Sequence, residues 1–340
     1  MPKRAVTIKE VAERAGLSVT TVSLVFNGKA DNIPYATRQK VEQAATELNY
    51  QPNYTARSLV TGKTHTIGVI IPDISNNFFS GMVRHLQTEL NKHGYDIILC
   101  NSEEQMANDL RYIRWLAGRK VDGLVLILSA ESMEEENREK ITSLLEETEV
   151  PHIFVDRYYH GDAPRVSVDN EWSGRQVAEM LLAAGHKNIG VITGPMCLNS
   201  SINRLKGVTS VLSEHGIELP KENIVYGKYN MISGKEGAAV LIKRNVSVIF
   251  AFNDMQAYGV ISYLKENGVK IPEDVSVVGF DDDLFSTIVE PKLTTVKQPI
   301  MQLSHEICDM ILAVVDGKEH ERHVKLATQL ILRDSVRKLI

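Results

Sequence analysis

The sequence predicts a small all-helical head followed by a larger α/β body. Two observations predict it. Residues 7–50 repeat apolar residues at helical spacing in three short stretches, punctuated by Gly16 and Asn27-Gly28. From residue 66 onward, short apolar runs alternate with amphipathic stretches, the pattern of βα units that build parallel sheets covered by helices. Size agrees, since 340 residues exceed what one core normally organises. With 43% hydrophobic and 24% charged residues, the chain is globular rather than disordered.

The head comes first. Thr7-Ile8-Lys9-Glu10 has the form of a capping box, in which the threonine accepts from the amide three residues on and the glutamate reaches back. Ile8, Val11, Ala12 and Ala15 then share one helical face, and Gly16 supplies a left-handed stop. Ser18 caps a second helix that buries Val22, Val25 and Phe26. A third helix, from about Tyr35 to Leu48, buries Val41, Ala44 and Ala45. Two short helices joined by a tight glycine turn, with small Ala12 at the crossing, have helix-turn-helix geometry. The second helix would present Val19, Thr20, Thr21, Ser23 and Leu24 outward, a face able to enter a DNA groove. Charge agrees: residues 1–60 carry eight Lys/Arg against five acids, although the whole chain is at −5. A small helical bundle without a DNA role is the competing reading.

Gln51-Pro52-Asn53 ends the third helix. The next segment, Tyr54 to Leu59 before Thr61-Gly62, is too short to be helical alone and should order only with a partner. Leu59 is an apolar residue on this polar joint, fit either to pack on the body or to wedge into a minor groove.

Taken together, VTIKEVAERAGLSVTTVSLVFNG and TRQKVEQAATELNYQPNYTARSLVTGKTHTIGVIIPD resemble the lac repressor (LacI/GalR) family, and the resemblance runs to the end of the chain. It implies a three-helix helix-turn-helix domain (1–50), a hinge helix (51–62) and a two-lobed, periplasmic-binding-protein-like α/β effector domain (63–340). Lobe 1 would take about 63–166 and 297–325, lobe 2 about 167–293 and 326–340. The candidate DNA contacts are then Thr7, Ser18, Val19, Thr20, Thr21, Ser23, Leu24, Asn27 and Thr37 in the head, with Asn53, Ala56 and Leu59 in the hinge. Two residues depart from the family pattern. Leu24 stands where arginine is frequent, and Pro34 where a serine commonly precedes the third helix. Without a guanine-reading arginine, base readout leans on Val19, Thr20 and the hinge.

In the body, strands are expected at Thr66–Ile71, Asp96–Cys100, Gly123–Leu128, His152–Val155, Asn188–Thr193, Ile224–Tyr226, Val248–Phe252 and Val275–Phe280. Two late strands follow, at Thr294–Val296 and Lys325–Leu332. Helical patterns include Phe79–His93, Met106–Gly118, Trp172–Ala184, Ser201–His215, Gly234–Lys243 and Met255–Asn267. Periodicity alone leaves one barrel or two open sheets; the resemblance implies the latter. Open parallel sheets bind ligands beyond the carboxyl ends of their strands. The residues there are acids, an arginine, an asparagine and aromatics, suited to a polyhydroxylated or small polar ligand. By resemblance, Asp73, Phe78 or Phe79, Asp156, Arg204, Tyr229, Asn253 and Asp281 match effector-contact positions. Asn253 and Asp254 could equally cap a helix, and Asp281 could be a turn residue. Arg204 is the favoured contact, because an arginine there has little evident structural duty.

No nucleophile elbow, phosphate-loop or HExxH pattern occurs, so catalysis and cofactors are not expected. The ten histidines show no ligand pairing at helical spacing, so no metal is expected either. Three distant cysteines make no disulfide framework, and no leader or membrane span is visible, which together point to a cytoplasmic protein. The expected protein is a DNA-binding regulator, foremost a repressor. It would act on near-palindromic double-stranded operator DNA under a sugar-like effector, as a homodimer, because one short recognition helix buries too little for useful specificity; without a leucine heptad by Ile340, a dimer is expected rather than a tetramer. A sugar-binding or sugar-processing protein without a DNA role is the alternative.

Overall fold

The computed structural model describes residues 6–26, 30, 32–50, 62–159 and 161–339. Asn27, Asn53, Ala56 and Leu59 lie outside the described residues. The chain divides into two compact units, Met1–Thr64 and His65–Ile340.

In the first unit, α1 (Ile8–Ala15), α2 (Val19–Phe26) and α3 (Tyr35–Glu47) close on a core of Val11, Ala12, Val22, Val41, Ala44 and Ala45. The capping box forms: the Thr7 amide donates to Glu10 Oε2 at 2.7 Å, and the Glu10 amide to Thr7 Oγ1 at 3.4 Å. Gly16 takes φ +67°, and the Leu17 amide returns to the Ala12 carbonyl at 3.0 Å. That closes α1 and turns the chain toward α2 within three residues. Arg14 donates to Glu47 at 2.7 Å, tying α1 to α3.

The second unit holds two open parallel sheets, which rules out the single barrel. The first is ordered β11-β5-β4-β3-β1-β2, from β1 (Thr66–Ile71), β2 (Asp96–Asn101), β3 (Gly123–Leu126), β4 (His152–Val155), β5 (Arg165–Val168) and β11 (His323–Leu326). The second is ordered β7-β6-β8-β9, from β6 (Ile189–Thr193), β7 (Ile224–Tyr226), β8 (Val248–Ala251) and β9 (Ser276–Val278). β10 (Thr295–Lys297) pairs antiparallel with β12 (Gln329–Ile331). Each sheet is covered on both faces, so its central strands β1, β3, β6 and β8 are almost wholly apolar. Along β1, Ile67, Val69 and Ile71 face one core while Ile70 faces the other.

On the first sheet, α4 (Asn77–Lys92) and α12 (Ile300–Val315) cover one face, and α5 (Met106–Gly118), α6 (Ala130–Met133) and α7 (Glu135–Thr148) the other. On the second, α8 (Asn170–Ala183) and α9 (Asn199–Glu214) oppose α10 (Met231–Leu241) and α11 (Asp254–Glu266). Helices α8 and α9 meet almost backbone to backbone. A Cβ on Gly207 would lie 2.1 Å from the Glu171 carbonyl oxygen, and one on Gly174 2.3 Å from that of Arg204.

Several elements depart from the sequence expectation, among them helices α6 and α12, which it did not contain. Strand β5 was not foreseen, because it is four residues long and alternates polar Arg165 and Ser167 with its apolar pair. The run expected as one strand at Lys325–Leu332 is two, broken at Ala327-Thr328 where the chain leaves the first sheet to pair with β10. The stretch 135–148 is helical although charged residues crowd it, because Ile141, Leu144 and Leu145 still bury one face.

Candidate functional site

The carboxyl ends of both sheets face one another. β1 leads into Asn76, the side-chain cap of α4, and on to Phe78 and Phe79. β4 leads into Asp156 and Arg157. From the other sheet, β6 leads to Ser200 and Arg204 on α9, β7 to Tyr229, β8 to Asn253 and β9 to Asp281. Together with Gln298 after β10, these residues line a central cavity of about 20 Å³. Sharing Asn76, Phe79, Arg157 and Tyr229 with it is an outer cavity of about 510 Å³, also bordered by Asp73, Glu104, Glu131, Glu134 and Lys228. The central space fits roughly one water. The outer one is within the range of small-molecule sites.

Of the eight residues picked out in the sequence, seven line the central cavity; Asp73 stops at the outer rim. Its carboxylate is occupied in a turn, accepting from the Ser75 amide and hydroxyl at 2.8 and 2.7 Å. Both phenylalanines reach the cavity, their rings 5.2 Å apart. Asn253 does both things weighed for it. Its Oδ1 caps α11 through the Gln256 amide at 2.9 Å, and the residue still borders the cavity. Tyr229 packs its ring against Gly194, where a Cβ would lie 2.3 Å from the ring, and its hydroxyl meets Ser201 Oγ at 2.8 Å.

Arg204, expected to have little structural duty, turns out to be part of the scaffold. The residue is 3% exposed and has a full structural duty. Its Nε donates to Asn170 Oδ1 at 2.8 Å, its Nη1 donates to the Phe252 carbonyl, and its guanidinium lies 3.4 Å from the Phe280 ring centroid. Packing and backbone acceptors explain why an arginine stands there, whatever else it touches.

Arg157 was missed. It is 1% exposed, chelates Glu104 with both terminal nitrogens at 2.9 and 2.8 Å, and donates to the Leu128 carbonyl at 2.8 Å. Its guanidinium also lies 5.6 Å from the Phe79 centroid. A charged residue directly after an apolar strand was the available signal, and only its neighbour Asp156 was singled out.

Two guanidiniums and two carboxyls thus sit at the centre of the cleft. Burial pushes Asp156 above the ordinary carboxyl range, although Arg204 and Arg157 pull the other way. Burial and the nearby Asp254 raise Asp281 further, while Arg204 and the Gln298 amide at 2.7 Å oppose this. Burial also works against the Glu104 carboxylate, but Arg157 beside it brings the net pKa below the ordinary value. Asp156 at φ +60° and Asp281 at φ +129° hold conformations uncommon outside glycine. Such strain collects where side chains are aimed at a site. The groups can grip hydroxyls by bidentate hydrogen bonds and stack on a ring.

In the head, Val19, Thr20 and Leu24 are exposed on α2, and Ser23 is half-buried. Ser18 and Thr21 are joined locally, the Ser18 hydroxyl capping the Thr21 amide at 3.1 Å. Thr7 is held by its capping box, and Thr37 is half-buried on α3.

A helix-turn-helix head on a two-lobed receptor with a polar interlobe cleft defines a ligand-responsive DNA-binding protein. Residues 7–53 match the model of "Bacterial regulatory proteins, lacI family", and residues 64–334 that of "Periplasmic binding proteins and sugar binding domain of LacI family". The chain belongs to the LacI family: it is a transcriptional regulator and not an enzyme. It is 35% identical over 337 residues to the HTH-type transcriptional regulator RegA of Clostridium saccharobutylicum, covering 97% of this chain and 99% of the relative. Its structure is similar to a lac repressor dimer bound to operator and the anti-inducer ONPF (TM-score 0.84, 26% identity, 98% and 100% covered). It is also similar to a complex of the transcriptional regulator CelR with cellobiose (TM-score 0.73, 29% identity, 97% and 99% covered). Among the described residues, no helix is long and apolar enough to cross a membrane.

Proposed function

We propose that this regulator acts in the cytoplasm as a homodimeric repressor whose grip on a near-palindromic operator is set by a sugar-like effector in the interlobe cleft. The cleft carries this reading: buried Asp156, Arg157, Arg204, Asn253 and Asp281 converge with Phe78, Phe79 and Tyr229 from both lobes. Because the central cavity measures only about 20 Å³, a sugar ring first lodges in the outer cavity against Phe79 and Tyr229. Opening of the lobes then admits its hydroxyls to the inner polar groups. The relatives' names and titles, an operator-bound repressor and a cellobiose-bound regulator, support DNA and a saccharide as the two partners. Exposed Leu284, Phe285 and Ile288 form an apolar patch that supports pairing of two copies.

On the DNA, Val19, Thr20, Ser23 and Leu24 read the major groove, with Ser18, Thr21, Thr7, Thr37 and Asn27 at the backbone. Asn53, Ala56 and Leu59 act from the hinge. Effector and operator are coupled, so each must alter the affinity of the other by the same factor.

The experiment is a melting screen of mono- and disaccharides, followed by operator binding in fluorescence anisotropy. A true effector raises the melting midpoint by mass action and shifts operator affinity. Tyr229→Ala and Asn253→Ala should lose both effects, whereas Leu59→Ala should weaken operator binding and keep the melting shift. A ligand that works equally well on Tyr229→Ala and Asn253→Ala would move the effector site elsewhere.

A further inference from the structure

Helices α4 and α12 pack side by side over one face of the first sheet. The cap Asn76 at the start of α4 borders the cleft, while His93 closes the other end of the helix. At 1.5 Å per residue the two ends are about 25 Å apart. At that far end the fold brings three different donor types together. One ligand atom from each of His93, Cys308 and Asp309 lies within 4.8 Å of the others. Among the described residues this is the one such grouping of His, Cys, Asp or Glu.

We propose that His93, Cys308 and Asp309 bind a divalent transition-metal ion, with zinc the best fit, clamping α12 to the end of α4. A thiol, an imidazole and a carboxylate are the ligand set that zinc prefers, whereas magnesium and calcium want oxygen alone. Zinc ligands stand about 2.0–2.3 Å from the ion and so roughly 3.3–3.8 Å from one another, which asks the three atoms to close by on the order of 1 Å. The freedom is in the right place. Cys308 is 1% exposed and fixed by packing, while His93 and Asp309 are exposed and can swing inward. The helices themselves are pinned further back, one turn before Cys308 on α12 and about three turns before His93 on α4, where the Ser304 hydroxyl donates to the Met82 carbonyl at 3.1 Å.

An outer layer is also present. His305 lies 3.5 Å from Asp309, so the carboxylate ligand has an orienting partner, while Glu89, 3.7 Å from the same imidazole, is held by Lys92 at 2.7 Å. Two of the donors, Cys308 and Asp309, are neighbours on α12, and the third, His93, comes from the C-cap of α4. Histidine spacing alone could not reveal it, because His93 and Cys308 are 215 residues apart and meet only when α12 docks on α4.

The test uses the full-length, tag-free chain, stripped with a chelator and titrated with Co²⁺. The expected result is a thiolate-to-cobalt charge-transfer band that saturates at one ion per chain and is erased by Zn²⁺. Cys308→Ser should abolish the band. His93→Ala, a surface change that leaves the core intact, should weaken Co²⁺ binding on the order of tenfold or more, as loss of a ligand or its support does. Failure of the wild-type chain to give a thiolate band would overturn the proposal. So would a band that His93→Ala leaves at wild-type affinity.

Discussion

Replacing Arg204 by alanine separates scaffold from contact. The side chain is 97% removed from solvent and satisfies two acceptors, Asn170 Oδ1 at 2.8 Å and the Phe252 carbonyl, while stacking on Phe280. Alanine leaves both acceptors buried without a donor, at about 1–3 kcal/mol each. It also forfeits a desolvated cation–π contact of about 2 kcal/mol. Relief of burying a charge offsets part of this, and Asp156 and Asp281 adapt by holding their protons more tightly. A net loss of about 3–5 kcal/mol remains, the usual cost of breaking a buried charged network. For a unit of this size that lowers the melting midpoint on the order of 10 °C. Arg204→Lys keeps the charge but not the planar fork or the stack, so it should fall between the two. Thermal unfolding followed by circular dichroism on the full chain reads both. A midpoint for Arg204→Ala within about 2 °C of the wild type would refute the structural role and restore a contact-only reading.

Two further outcomes concern carboxyl groups. Glu104→Gln removes the negative charge facing Arg157, 1% exposed, and leaves it one amide oxygen and the Leu128 carbonyl as acceptors. Because the Glu104 side chain is 40% exposed, water screens the loss, and urea titration should show only about 1–2 kcal/mol. The wild-type carboxylate has a lowered pKa, so its contribution is present above the ordinary glutamate range and disappears only as acid passes the lowered value. Asp254 behaves oppositely. Burial pushes its carboxyl up to about 7 against hydrogen bonds from Thr295 and the Asp283 amide. A raised carboxyl pKa gives stability that is full below the ordinary aspartate value and is lost as pH rises through the folded one. The urea midpoint should therefore fall between pH about 4 and 7, and Asp254→Asn should flatten that slope; an unchanged slope would remove Asp254 as its source.

The sequence carried the head almost entirely, because its signals are local. A capping box, a glycine at φ +67° and an i, i+3, i+4 apolar face each lie within a few residues. The strands were legible for the same reason, since a strand buried on both faces must be a continuous apolar run. What escaped was decided by distant partners. β5 gains its place only by pairing with β4 and β11. The duty of Arg204 depends on Phe252 and Phe280, 48 and 76 residues on, which no local pattern connects. Arg157 became meaningful only when Glu104, 53 residues earlier, was found beside it. In the cleft, strand-end logic picked the correct neighbourhood but could not say which polar groups were already engaged with the protein.

The chain passes between the two sheets three times: at Asp169, at Gln298-Pro299 and at Ala327-Thr328. These passages lie together. The Asp169 amide donates to the Leu326 carbonyl at 2.8 Å, Ser173 meets Thr328 at 2.7 Å, and β10 pairs with β12. Mechanically, a single thread would let the lobes swivel and twist in any direction. Three bonded threads side by side suppress torsion and leave bending as the soft coordinate, like a door on a strip of leather. An occupant of the cleft then has one variable to set, the opening angle. Whatever is attached to the first sheet receives that angle as a graded displacement, not as a choice among unrelated poses.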